Sequence, residues 1–169
     1  MLVASAGASA PAYRPDAWIK LCGVNTGCAI DPLPHPWHGK NVYNTTAWHQ
    51  TARERLDNGR GVRYWIMFQN DGTQSDTFLV HGCKGTKNFQ ILAVIVGEYK
   101  YPVGAGSTHI TQEFIDNTAT FTVAPGKHVA ITLNILTHDP NLTYRCAVTI
   151  TSSGDPTLKD TVAAVTTSF

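Results

Sequence analysis

The sequence predicts an all-β protein, a sandwich of two packed sheets, on three counts. Of its 169 residues, 44 are β-branched (21 Thr, 13 Val and 10 Ile), against 3 Glu, 7 Lys and 10 Leu. β-Branched side chains lose rotamer freedom in a helix but pack well on a pleated surface. Short runs alternate apolar with polar residues, and 14 Gly and 9 Pro supply the turns between them. This pattern excludes a helix bundle, a coiled coil, a dinucleotide-binding α/β unit and a disordered chain. The length fits one domain.

The elements follow in order. Residues 1–13 form an N-terminal extension of small residues, and 14–169 form the sandwich. The stretch 14–50 shows no strand period, and its part 22–50 is an irregular segment rich in Pro, Trp and His. From Val62 to Gln69 strict alternation puts Val62, Tyr64, Ile66 and Phe68 on one face. Asn70-Asp71-Gly72 then reads as a hairpin turn, because these residues tolerate positive φ, with a return strand over Thr77–Val80. Phe89–Val96 is apolar on both faces and is expected to be central and covered. Ala119, Phe121 and Val123 alternate up to the turn Pro125-Gly126, and Val129, Ile131, Leu133 and Ile135 alternate beyond it. Cys146, Val148 and Ile150 do the same, and a last run ends Val162-Ala163-Ala164-Val165. Seven or more antiparallel strands with regular turns read as an immunoglobulin-like β-sandwich.

Charge narrows the partners. Charged residues make up 15%, against about a quarter in an average domain, and the formal net charge is +1. Such a chain offers no broad field towards nucleic acid or anionic membrane. Arg53, Arg55, Arg60 and Arg63 cluster, but Glu54 and Asp57 interrupt them, as on a solvated hairpin. No run approaches the roughly 18 apolar residues of a membrane-spanning helix.

Cys22, Cys28, Cys83 and Cys146 lack the paired CxxC spacing of a zinc site. Four cysteines allow three connectivities. Cys22–Cys28 would close a small loop, and Cys83–Cys146 would staple two strands, closing a long loop worth up to ~4 kcal/mol on the chain-entropy model. Disulfides persist in oxidising compartments, so the chain is expected to be extracellular or at the cell surface. The leader ends in Ala8-Ser9-Ala10, a signal-peptidase pattern, but lacks a basic start. Its alternative role is a donated strand, Leu2, Val3, Ala4, Ser5 and Ala6, lent to a neighbouring subunit.

Several ordered blocks point further. They are Arg14-Pro15-Asp16-Ala17-Trp18-Ile19, Asn41-Val42-Tyr43-Asn44-Thr45-Thr46, Gln50-Thr51-Ala52, Phe68–Gly72, Asp76–Gly82, Val123–Gly126 and Ser153–Asp160. In this order they resemble a β-sandwich repeat of secreted and surface-exposed prokaryotic proteins, similar to the bacterial Ig-like adhesion modules. The resemblance covers residues 14–165 and implies no catalytic residues and no cofactor.

The residues agree on the absence of an enzyme. No nucleophile elbow is present, His109 lies in a Gly-Ser loop, and Glu54, Glu98 and Glu113 are the only glutamates. His35-Pro36-Trp37-His38, with Asp31 and His49, holds metal-ligand residue types, but extended proline geometry splays them, and no metal is expected. Trp37, Tyr43 and Trp48 form a candidate ligand platform, since rings stack on sugar faces. Asn44 and Asn141 open glycosylation sequons, and Thr-rich strand faces would accept O-linked sugar. Two functions therefore compete. One is a structural subunit of an extracellular filament or surface layer, whose partners are copies of itself joined by strand addition. The other is a secreted, non-enzymatic binding or adhesion module for surface glycans or a protein.

Overall fold

The computed structural model describes residues 10–24, 36–96 and 108–169. Its elements in chain order are β1 (Pro15–Val24), β2 (Thr51–Leu56), β3 (Gly61–Asn70), β4 (Asp76–His81), β5 (Phe89–Val96), β6 (Thr108–His109), α1 (Thr111–Ile115), β7 (Thr120–Val123), β8 (His128–Thr137), β9 (Thr143–Ser152) and β10 (Lys159–Ser168). They form two five-stranded sheets, one in the order β1-β3-β8-β5-β6 and the other β2-β10-β9-β4-β7. The chain is an immunoglobulin-like β-sandwich.

The core lies between the sheets and follows the predicted alternation. Val62, Tyr64, Ile66 and Phe68 of β3 are fully buried against Ile131, Leu133 and Ile135 of β8 and Val148, Ile150 and Val162 from the other sheet. Full burial of such side chains stabilises by about 1.5–3 kcal/mol each. Tyr64 also links the layers by a polar contact, since its hydroxyl donates to the Val165 carbonyl at 2.9 Å and lies 3.0 Å from Thr166 Oγ1. Burial raises its pKa, so it stays a phenol.

Four expectations are corrected. Pro15–Val24 is a ten-residue strand rather than irregular chain. Its inward residues Ala17, Ile19 and Leu21 are apolar as required, but Trp18, Lys20 and Cys22 on its other face are buried too, which hides the alternation. Asn70-Asp71-Gly72 is not a hairpin, because β3 and β4 lie in different sheets. The Asn70 side chain shapes a corner there, donating to the Gln74 and Val123 carbonyls at 2.7 and 2.9 Å and accepting from Gly72 N at 2.9 Å. β5 is one strand from the edge, not central, and exposes Gln90 and Leu92. Finally, not every pair is antiparallel: β2 runs parallel to β10.

Cys83 and Cys146 are bonded, with Cα atoms 5.3 Å apart. Cys146 is buried on the inner face of β9, and Cys83 follows β4 where its pairing with β9 ends at His81–Thr149. The bond prolongs that ladder covalently. No described cysteine is free. Cys22 is buried in β1, whereas Cys28, its expected partner, lies outside the described residues. Among the described residues no helix is long and apolar enough to cross a membrane.

Candidate functional site

A sandwich leaves strand edges whose backbone groups need partners. Residues 36–50 meet that need along one side of the molecule, running as a strap from the edge of β1 to the N-terminal part of β10 that β2 leaves unpaired. At β1, the Ile19 amide donates to the His38 carbonyl at 2.9 Å, and the His38 amide returns the bond at 2.8 Å. One step along, Ala17 N donates to Asp160 Oδ2 at 2.6 Å and the Ala17 carbonyl accepts from Gln50 Nε2 at 3.1 Å. At β10, Thr161 N donates to the Asn44 carbonyl and Ala163 N to the Gln50 carbonyl, both at 2.9 Å. Gly39 lets the strap pass this close. Its φ is +104°, and a Cβ there would stand 2.8 Å from the Ala17 carbonyl oxygen and 2.7 Å from Gln50 Cγ.

Two buried carboxylates hold the strap. Asp160 accepts from Ala17 N, Asn44 N (3.0 Å), Gln50 Nε2 (2.8 Å) and Thr161 N (2.9 Å). Asp16 accepts from Asn41 N at 3.1 Å on both oxygens. Burial pushes the Asp16 carboxyl up to about 7; the Asn41 amide opposes this, the nearby Asp71 and Asp160 add to it, and Lys40 opposes it. Burial also raises Asp160, against the bonds it accepts. Beside them, Tyr43 donates to Asp71 Oδ2 at 2.7 Å under the Arg14 guanidinium, which sits 4.0 Å from the ring centre. Burial, then the bond to Asp71, raise the Tyr43 pKa.

A pH dependence follows. Asp16 takes up its proton at a higher pH in the folded chain than in the unfolded one, so between about 4 and 7 the folded state binds more protons. Its contribution is complete below the unfolded value of 3.8 and is lost as pH rises through 7. Urea midpoints measured from pH 5 to pH 8 will therefore fall, and Asp16→Asn will flatten that fall.

The strap ends in a locked turn. Asn44 Oδ1 accepts from Thr46 N and Thr46 Oγ1 at 3.0 Å and from Trp48 N at 3.3 Å, while Asn44 Nδ2 donates to the Trp48 carbonyl at 3.1 Å. Ala47 and His49 sit at φ of +60° and +59°, an uncommon region for residues with a side chain. Between them Trp48 is 68% exposed, with the His49 ring centre 3.7 Å from its own. Arg145 of β9 donates to the Thr46 carbonyl at 3.4 Å, tying the turn to the outer face of the second sheet.

The remaining predicted residues are placed as follows. Trp37 packs on the outer face of the first sheet, 4.9 Å from the Trp18 ring and 6.2 Å from the Trp65 ring. Tyr43 stands at the Asp71 corner and Trp48 on its own turn, so none of the three rings packs against another. Asn44 already uses its amide nitrogen within the turn, whereas Asn141 is exposed. Among the described residues no group of three or more His, Cys, Asp or Glu gathers to hold a metal. His38 joins β1 through its backbone and His49 lies on Trp48, while Asp31, His35 and Glu98 lie outside the described residues.

Leu2, Val3, Ala4, Ser5 and Ala6 also lie outside the described residues. Just after them, residues 11–14 run back along their own sandwich. Thr73 N donates to the Pro11 and Ala12 carbonyls, Gln74 N to Ala12 and Asp71 N to Arg14. Gly72 leaves room for this path, since a Cβ there would lie 2.9 Å from Tyr13 Cα. Asp16, Gln50 and Asp160 carry no joint signal in the sequence, because they are far apart along the chain.

No protein-family model matches the chain, and no curated protein matches it. Among solved structures, 49 chains match. One is the N-terminal domain of PorA, 15% identical with a TM-score of 0.45 over 90% of this chain and 96% of that one. Another is a PapD-like domain of human CEP192, 10% identical with a TM-score of 0.41 over 70% and 80%. A third is a family 123 glycoside hydrolase from Clostridium perfringens, 12% identical with a TM-score of 0.45 over 70% of this chain but only 23% of the hydrolase.

Proposed function

We propose that the chain is an extracytoplasmic, non-enzymatic binding module of the bacterial Ig-like adhesion type, with its contact surface centred on Trp48. The observation that carries this reading is a tryptophan 68% exposed on a turn held by side-chain hydrogen bonds and two positive-φ residues. An aromatic fixed in this way loses little entropy when it meets a ligand, the economy that makes Trp a frequent hot spot. The disulfide between Cys83 and Cys146 suits an oxidising compartment.

The test is binding of the folded chain and of Trp48→Ala to a panel of surface polysaccharides and proteins. The variant will keep the wild-type unfolding midpoint and bind at least ten-fold more weakly. Unchanged affinity in folded Trp48→Ala removes this reading.

A structural subunit joined by strand addition is the second reading, favoured by one observation. β7 is a short sheet edge with exposed Thr120 and Thr122, and the strap does not cover it. Association that Trp48→Ala keeps and deletion of residues 1–10 abolishes would support it over the first.

A further inference from the structure

The outer face of the second sheet has an unusual composition that the strand registers make visible. Positions alternating with the core residues of β2, β10, β9, β4 and β7 point away from the first sheet. Four of them are basic, namely Arg53, Arg55, Arg145 and Lys159, and none is Asp or Glu. Threonine fills most of the others; Thr120, Thr122 and Thr143 are exposed and Thr167 is half-buried, whereas Thr151, Thr161, Ala163 and Val165 are buried even on this face. Several of these threonines pair across strands, with Thr149 and Thr161 hydroxyls 2.8 Å apart and those of Thr143 and Thr167 3.0 Å apart. The acids of these strands are placed otherwise: Asp160 bonds the strap, Asp76 is buried inward, and Glu54 of β2 stands half-buried in the core-facing parity, its Oε1 accepting from Arg55 N at 2.8 Å.

Register also fixes the basic groups relative to one another. Arg53 pairs with Val165, and Val165 pairs with Arg145, so the two arginines share one row across three strands. Two strand spacings separate them by roughly 10 Å. Arg145 reaches to Thr46 and so joins this row to the turn that displays Trp48. It uses one of its five N–H donors there, leaving the guanidinium able to receive a further acceptor.

We infer that this face binds an acidic polysaccharide, with its carboxylate or sulfate groups on Arg53 and Arg145, its hydroxyls on the accessible threonine pair Thr143 and Thr167 and one sugar ring stacked on Trp48. This deepens the binding-module reading and rests on it. The chemistry is complementary at each point: planar guanidinium forks match carboxylate and sulfate oxygens, threonine hydroxyls exchange hydrogen bonds with sugar hydroxyls, and an indole face stacks on a pyranose. Four basic groups on a chain of net charge +1 are sparse for a nucleic-acid backbone, which carries one charge per about 1.7 Å of duplex.

The experiment is affinity electrophoresis of the full chain in gels containing polygalacturonate, alginate or neutral dextran, with single-stranded DNA and anionic vesicles as competitors. The variants are Arg53→Gln, Trp48→Ala and Arg145→Lys, each checked for an unchanged unfolding midpoint. The expected result is retardation by the acidic polymers and not by dextran, weakened at least five-fold in Arg53→Gln and at least ten-fold in Trp48→Ala. Arg145→Lys, which keeps the charge without the fork, will lie between wild type and Arg53→Gln. Equal retardation by dextran, lost in Trp48→Ala but unchanged in Arg53→Gln, would overturn the acidic ligand and leave the binding module standing. Competition by DNA or vesicles as strong as by polygalacturonate, with no effect of Trp48→Ala, would overturn both. Absence of retardation by either acidic polymer would overturn the inference outright.

Discussion

Asp160→Ala will lower the free energy of unfolding by about 3–5 kcal/mol at pH 7, read as a drop in the urea midpoint at unchanged slope. The carboxylate is fully buried and receives four donors, from Ala17, Asn44, Gln50 and Thr161. Alanine takes the acceptor from the Ala17 and Asn44 amides, whereas Thr161 N keeps the Asn44 carbonyl and Gln50 Nε2 keeps the Ala17 and Val42 carbonyls. Each buried unsatisfied donor costs about 1–3 kcal/mol, and the strap recovers part of this by moving towards water. Asp160→Asn keeps one acceptor oxygen and will cost about half as much. A loss below 1 kcal/mol in Asp160→Ala would mean that the strap is not held from this point.

Removing the Cys83–Cys146 bond comes next in size. The double variant Cys83→Ala/Cys146→Ala will lose about 2–4 kcal/mol, because the bond closes a long loop in the unfolded chain. The sequence separation of 63 places the chain-entropy estimate near the upper end of that range. Cys146 is wholly buried beside Val148 and Ile150, so replacing its sulfur also leaves a small void. Unfolding curves of the double variant, and of wild type in strong reductant, will move in the same direction. A shift of less than 1 kcal/mol in the double variant would show that β4 and β9 are held by their ladder alone.

Both effects bear on what could be read from the residues. Strong alternation made β3, β8 and β9 legible, because one face of each meets the core and the other does not. β1 shows no alternation because Trp18, Lys20 and Cys22 are buried on its second face and Lys20 lies near two indole rings, 4.9 Å from Trp37 and 5.2 Å from Trp65. The turn chemistry of Asn70-Asp71-Gly72 is legible in the sequence, but a turn signal does not say whether the next strand stays in the same sheet. Here the Asn70 amide bonds to Val123, 53 residues away, and that distant partner decides the corner.

Residues from separate ordered blocks of the sequence come together at the strap. Arg14, Asp16, Tyr43, Asn44, Gln50, Asp71 and Asp160 all belong to them, and all meet around the strap. Together these residues close one side of the sandwich. Trp48 lies just outside the blocks, and neither periodicity nor spacing distinguished it from Trp37. Exposure does: Trp37 is half-buried against two other rings, whereas Trp48 faces outward. The low charge of the chain also acquires a location. Its acids are largely turned inward or into turns on the second sheet, which leaves a threonine face with a few arginines.

Where a ligand touches the protein is the most direct test of this account. Amide hydrogen exchange of the wild-type chain, with and without saturating polygalacturonate, reads that position segment by segment. Slowed exchange in the 44–49 turn and along β2 and β9 is the predicted result. Protection confined to β1 and β3, or to the β7 edge, would contradict it.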